Sequence, residues 1–245
     1  MDIADYDSTN YNYEAYWQNR QYEHLIEVKA LKKLLPVGSG SLLDIGGGFG
    51  RNLKELVKNY EKATLLDYSA RNLDRAKSFL KDDLEKITLV KGNAYKLPFP
   101  DESFETAIMI RVTHHLENPE IAIKEAYRVL KPQGVFVIEF ANKCHVKALV
   151  RHGIKFYKDT TPYNRLTKNS GVFLNWHPKK IEDFAKSAGF KLEAKLSVSN
   201  LRSQTLKKVF GDRVLSSLDT LTMKPIAKFY FGPSIFLKLV KGPIG

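Results

Sequence analysis

Between Ser41 and Asn142 short apolar runs alternate with longer amphipathic ones, a rhythm that predicts βαβ units and a parallel sheet. The strand candidates are Ser41 to Ile45, Ala63 to Asp67, Ile87 to Lys91, Phe104 to Ile110 and Val135 to Phe140. Helical patterning covers Arg51 to Tyr60, Ala70 to Leu84 and Glu120 to Leu130. Ser69 suits an N-cap, and Pro132 with Gly134 stops the third helix. Right-handed crossovers place the C-terminal ends of these strands along one edge, where open α/β sheets bind ligands.

The flanks are patterned differently. Ala15 to Leu35 carries Leu25, Val28, Leu31 and Leu35 on a helical stripe closed by Pro36. Tyr11, Tyr13, Tyr16, Trp17 and Tyr22 cluster around its start. Two readings stay open: a lid in which Tyr13, Trp17 and Arg20 meet the substrate, or a helix packed on the sheet with amphipathic rings at its rim. After Asn142 the rhythm loosens, and residues 143–176 look like a helical insertion. A helix beginning at Pro178 and ending at Gly189 follows, then a strand over Lys191 to Leu201. Ser203 to Phe231 reads as helix broken at Gly211 and Pro225, and Ser234 to Val240 as a last strand that could pair antiparallel with its predecessor.

Composition narrows the class. The 245 residues suffice for one α/β domain with elaborations and its own core. One cysteine, Cys144, allows no internal disulfide and points to a reducing compartment. The acidic N-terminus and the absence of a run of about 18 apolar residues lead us to expect a cytoplasmic protein. No spacing suggests a metal site.

The net charge of +12 is unevenly placed: −4 over residues 1–30, +2 over 31–142 and +14 over 143–245. A basic tail of this kind could face nucleic acid, an anionic substrate or an anionic membrane, or be a solvated lysine-rich face.

Chemistry concentrates at Leu42-Leu43-Asp44-Ile45-Gly46-Gly47-Gly48-Phe49-Gly50-Arg51. Glycines there allow positive φ and let a ligand approach the backbone amides. The D-x-G-x-G-x-G spacing differs from the G-x-G-x-x-G of dinucleotide folds. Asp67, closing the next apolar run, could accept from both hydroxyls of a ribose. Together they point to a nucleoside ligand.

An ordered set accompanies the turn: Leu65-Leu66-Asp67-Tyr68-Ser69, Gly92-Asn93-Ala94, Leu97-Pro98-Phe99-Pro100-Asp101-Glu102-Ser103-Phe104-Glu105 and Arg128-Val129-Leu130-Lys131-Pro132-Gln133-Gly134. With it, residues 40–145 resemble the class I S-adenosylmethionine-dependent methyltransferases, in the small-molecule branch that includes quinone-biosynthesis C-methyltransferases. The resemblance implies an α/β, Rossmann-like, seven-stranded and mostly parallel sheet with an antiparallel last strand and helices on both faces. It is expected to carry an N-terminal helical lid and helical insertions near the C-terminus. We expect a single domain over 1–245, with a lid at 1–36, a cofactor-binding core at 40–145 and insertions at 143–176 and 203–231.

By the same resemblance, S-adenosyl-L-methionine is the cofactor and S-adenosyl-L-homocysteine its product. Asp44, Gly46, Gly47 and Gly48 would hold the methionine end, Asp67 the ribose, and Tyr68, Asn93 and Ala94 the adenine side. Arg111 would stand where the family's loop lies near the methionine group and the substrate. Asn93 replaces the usual aspartate, and an amide oxygen still accepts from an adenine amino group, without the charge. Glu105 replaces a more frequent Asp.

Methyl transfer from a sulfonium needs alignment and dryness more than a nucleophilic residue, although some acceptors need a base. His115 and His114, after the fourth strand, are the base candidates, with packing beside the cofactor as the alternative. His177 reads better as a helix cap, and Glu139 as either an active-edge or a satisfied core carboxylate. The expected partner is a small-molecule acceptor. Nucleic acid is disfavoured because Arg111-Val112-Thr113-His114 stands where an N/D-P-P-Y/F/W tetrad would be. Phe229-Tyr230-Phe231 and Ile235 to Val240 among lysines raise a lipid or quinone acceptor and peripheral contact with an anionic membrane, against the alternative of a buried last strand. The oligomeric state and the acceptor are not encoded in any recognisable feature.

Overall fold

A computed structural model describes residues 13–164 and 173–243. Five parallel strands form the centre: β1 (Ser39–Ile45), β2 (Tyr60–Asp67), β3 (Ile87–Lys91), β4 (Phe104–Met109) and β5 (Leu130–Ala141). A short antiparallel pair, β6 (Tyr163–Asn164) and β7 (Leu174–Asn175), lies outside this sheet. Two late strands, β8 (Phe190–Val198) and β9 (Ser234–Lys241), complete it in the order β3-β2-β1-β4-β5-β9-β8. β9 runs opposite to the other strands of this sheet, pairing antiparallel with both β5 and β8.

Strand side chains alternate between the two faces, so each face carries its own core. On one, Leu42, Val137 and Phe236 meet helix α2 (Gln21–Leu34), α3 (Arg51–Leu56) and α8 (Gln204–Lys228) through Ile26, Leu53 and Leu215. On the other, Leu43, Phe136 and Ile235 meet α5 (Pro119–Val129) and α7 (Pro178–Ser187) through Ile123 and Ile181. The remaining helices are α1 (Tyr13–Trp17), α4 (Ala70–Phe79) and α6 (Val146–Lys158).

Local chemistry sets the helix ends. Ser69 Oγ accepts from Asn72 N at 3.1 Å and caps α4. Pro178 opens α7 behind His177, whose Nδ1 accepts from Lys179 N at 3.2 Å. His177 is therefore a cap.

Several boundaries differ from the sequence pattern. The helix expected to Tyr60 ends at Leu56, passes through a 3-10 turn over Val57–Asn59, and yields Tyr60 to β2, where it pairs with Ser39. Tyr60 keeps its place on the helical apolar stripe, but an aromatic side chain serves a strand equally well. The helix expected over Ala70 to Leu84 stops at Phe79. The single N-terminal helix is two, parted at Gln18–Arg20, where Arg20 N donates to Trp17 O at 3.0 Å. Strand β5 starts at Leu130 rather than Val135, with an irregularity in its register against β4 accommodating Gln133 at φ 65°. Gly211 interrupts α8 as expected, whereas Pro225 lies inside it. Tyr11 and residues 165–172 of the expected insertion lie outside the described residues.

Candidate active site

The C-terminal ends of β1, β2, β3 and β4 surround an open cleft of about 660 Å³. Its wall includes Gly46, Gly48, Asp67, Tyr68, Ala94 and Arg111, which the sequence placed there, together with His115.

The glycine turn forms one side. Gly46 and Gly48 adopt φ of 69° and 59°, which side chains rarely tolerate. A Cβ on Gly46 would lie 2.5 Å from Val112 Cγ2, and one on Gly47 only 2.7 Å from Asp44 Oδ2. The turn is tied to the next strand by Gly46 N donating to Leu66 O at 2.7 Å and Gly48 N to Asp67 Oδ2 at 2.8 Å.

Asp67 also receives Ser69 N at 2.9 Å and Asn72 Nδ2 at 3.2 Å on Oδ1. A carboxylate offers about four acceptor positions. A ligand diol arriving here therefore competes with protein donors, and Asn72 Nδ2 makes the longest of these three bonds. Asn72, which also lines the cleft, carries no sequence signal beyond its place in the first turn after the Ser69 cap.

Asp44 is 2% exposed, and its Oδ2 lacks a hydrogen-bond partner among the described residues. Burial pushes its pKa up to about 7, with Arg51 opposing the shift and Asp67 adding to it. An orphaned carboxylate oxygen beside a turn with no Cβ is suited to an incoming ammonium. The donor set thus fits an amino-acid end near Asp44 and a ribose at Asp67, with Tyr68 exposed beside them as a flanking ring.

Asn93 is placed differently. Its Oδ1 accepts from Tyr95 N at 2.8 Å, and the cleft is lined by its neighbours Gly92 and Ala94.

Beneath the cleft lies a charged node missing from the sequence reading. Glu27, on the buried face of α2, accepts from Arg51 Nη2 at 2.6 Å and from Arg111 Nε at 2.8 Å, with Arg111 Nη2 bonded to the same carboxylate. Burial would raise the Glu27 pKa, but Arg111 and Arg51 outweigh it and hold the carboxylate ionised. Trp17 lies 3.5 Å from the Arg51 guanidinium and 4.8 Å from that of Arg111, both over its ring. Arg111 itself has φ of 61°, and its N donates to Glu139 Oε2 at 2.8 Å. Ser234 Oγ satisfies Glu139 Oε1 at 2.6 Å, so Glu139 is a core carboxylate that fixes the loop after β4. Sequence could have flagged Glu27, since a carboxylate beside Ile26, Ala30 and Leu31 on a core-facing helix is costly unless paired.

The expected lid residues are not in the cleft wall. Trp17 is buried against the two arginines, and Arg20 sits 4.0 Å over the Tyr16 ring. The side chain of Tyr13 lies outside the described part. Of the two histidines, His115 lines the cleft, whereas His114 is buried with its ring 4.3 Å from Phe173 and 4.1 Å from His115. Burial, then His115 and Arg111, hold the His114 pKa well below the usual range, and it stays neutral. Among the described residues no group of three or more His, Cys, Asp or Glu is arranged to hold a metal ion.

Fold and site together define a nucleoside-binding α/β domain. Residues 43–138 match the family model described as "Methyltransferase domain". The chain is 28% identical to the demethylmenaquinone methyltransferase of Lactococcus lactis, over 94% of this chain and 90% of that protein. It is 38% identical to 2-methyl-6-phytyl-1,4-hydroquinone methyltransferase 2 of Oryza sativa subsp. japonica over 38% of this chain. There it spans 27% of the rice protein, and it likewise matches about a quarter of a fungal sterol 24-C-methyltransferase. A Thermotoga maritima structure described as a SAM-dependent methyltransferase, possible histamine N-methyltransferase, superposes with a TM-score of 0.62. It is 26% identical, with 94% of each chain covered. The chain therefore carries a methyltransferase domain over residues 43–138 within the fold of the S-adenosylmethionine-dependent methyltransferases.

Proposed function

We propose that this chain transfers the methyl group of S-adenosyl-L-methionine to a small-molecule acceptor. The observation that carries the reading is the buried Asp44 Oδ2, without a hydrogen-bond partner among the described residues, beside the Gly46–Gly48 turn, with Asp67 at the end of the adjacent strand. Asp44 would take the donor's ammonium and Asp67 its ribose hydroxyls, while Tyr68 and Ala94 flank the base. The chemistry the bound donor supplies is an electrophilic methyl on a sulfonium, whose departure leaves a neutral thioether.

Held by Asp44 and Asp67, the donor would offer that methyl to an electron pair of the acceptor, a lone pair on oxygen or nitrogen or the π pair of an electron-rich ring carbon, and the carbon–sulfur pair would stay on sulfur. The chain's part is alignment and exclusion of water. Val112 and Leu116 give the acceptor side an apolar wall. His115 on that wall would receive the proton an oxygen, nitrogen or carbon acceptor sheds. His114, buried and neutral, would buttress it. The names of the relatives favour a hydroquinone-like ring over an amine.

Two measurements test this. Calorimetry with S-adenosylhomocysteine should show binding that Asp67→Ala weakens by at least roughly tenfold, the loss of a charged hydrogen-bonding site; unchanged affinity would refute the ribose placement. Radiolabelled donor offered with a demethylated quinol and, separately, with a biogenic amine should label the quinol. His115→Gln should lower kcat with little change in donor affinity.

A further inference from the structure

Methyl transfer leaves unexplained the basic excess after residue 142. In the fold, α6 carries four of these cations and no acidic residue. Residues 143–158 contain five Lys or Arg and no Asp or Glu. Within α6, Val146, Val150 and Ile154 are 47%, 82% and 57% exposed, with the exposed cations Lys147, Arg151, Lys155 and Lys158 between them. Gly153, at φ 76° and ψ −177°, bends the helix between Val150 and Ile154.

The start of α6 is joined to a second apolar element. Val146 N donates to Phe231 O at 2.9 Å, and the stacked rings of Phe229 and Phe231, 5.7 Å apart, are 55% and 39% exposed. The other apolar, lysine-bearing segment, Ile235 to Val240, is largely buried in β9 between β5 and β8 and offers no such surface. A solvent-open hollow against α6 is lined by Lys147, Arg151, His152 and Arg202 among others, a setting for an anionic group.

We propose that the face formed by α6 and Phe229–Phe231 docks on an anionic lipid bilayer. Five exposed apolar side chains beside four cations match an interface in which hydrocarbon receives the first and phosphate headgroups the second. Nucleic acid would satisfy the cations but leave the aliphatic side chains in water. A second copy of the chain would bring the same positive field and repel. Among the described residues no helix is long and apolar enough to cross a membrane, so the contact is peripheral. The bilayer would also concentrate an apolar acceptor near the site, but the docking does not depend on the methyl-transfer reading.

The test is flotation of the full chain with phosphatidylcholine vesicles lacking or containing phosphatidylglycerol. We expect binding to the anionic vesicles, weakened by salt, and little to the neutral ones. Lys147→Gln and Arg151→Gln should each lower the partition roughly fivefold, the effect of removing one cation near such a surface. Val150→Asp should lower it by roughly tenfold or more. These positions are exposed, so S-adenosylhomocysteine affinity should stay at the wild-type value and certify the fold. Absence of binding to anionic vesicles, binding unmoved by these substitutions, or a dimer in light scattering that Val150→Asp dissolves would each overturn the proposal.

Discussion

At the scale of single residues, the chemistry turns on which buried carboxylates carry charge. Asp44 has its pKa raised from 3.8 to about 7, mainly by burial. The folded chain therefore keeps a proton that the unfolded chain releases, and the contribution of Asp44 to stability declines as pH rises from about 4 through about 7. A bound ammonium favours the carboxylate and reverses the preference. S-adenosylhomocysteine affinity should then rise with pH up to about 7, approaching tenfold per unit below it, with proton release on binding. Calorimetry in two buffers of different ionisation enthalpy measures the release, and Asp44→Asn should abolish it. Glu27 has the opposite shift. Its pairing with Arg111 and Arg51 stabilises the fold above the ordinary carboxylate range and is lost as pH falls below it. Glu27→Gln leaves two guanidinium groups short of charge and should cost about 3 kcal/mol in urea denaturation. A loss below the range of a surface pair, under about 1 kcal/mol, would show that the node is not structural.

At the scale of elements, the cleft depends on how closely the β1 turn approaches the loop after β4. Gly46→Ala adds a methyl 2.5 Å from Val112 Cγ2 at a φ of 69°. Either the turn or the loop must shift, so we expect S-adenosylhomocysteine affinity to fall at least roughly tenfold, with far-ultraviolet circular dichroism preserved. The turn, Asp67 and the five central strands were legible because each is written locally: an apolar run, then glycines or a carboxylate. The early end of α3 was not, because Leu53, Leu56, Val57 and Tyr60 satisfy a helical stripe and a strand edge alike. The Glu27 node was hidden for a different reason. It joins residues 24 and 84 positions apart, and only the folded sheet brings them together. The engagement of Asn93 Oδ1 by the backbone two residues on was likewise not written in the sequence, since it depends on the turn after β3.

At the scale of the whole molecule, an early helix and a late one are bonded to one another. Tyr22 Oη donates to Asp219 Oδ2 at 2.8 Å and accepts from Leu201 N at 3.1 Å, while Lys207 Nζ reaches both Glu23 oxygens at 2.8 Å. Helix α2 is thereby fastened to α8 as well as to the cleft. We accordingly expect one cooperative transition in urea, with the fluorescence of Trp17 and Trp176 coinciding with circular dichroism. Tyr22→Phe, which leaves the buried Asp219 without that donor, should lower stability by about 1–3 kcal/mol. Two separate transitions would instead divide the chain into independent units. The carboxylate of Glu27 also imposes a reciprocity. It grips the guanidinium behind the glycine turn and the one after β4 at once, so we expect a molecule that tightens or loosens α2 to change donor affinity. Where it does, the bound donor changes that molecule's affinity by the same factor.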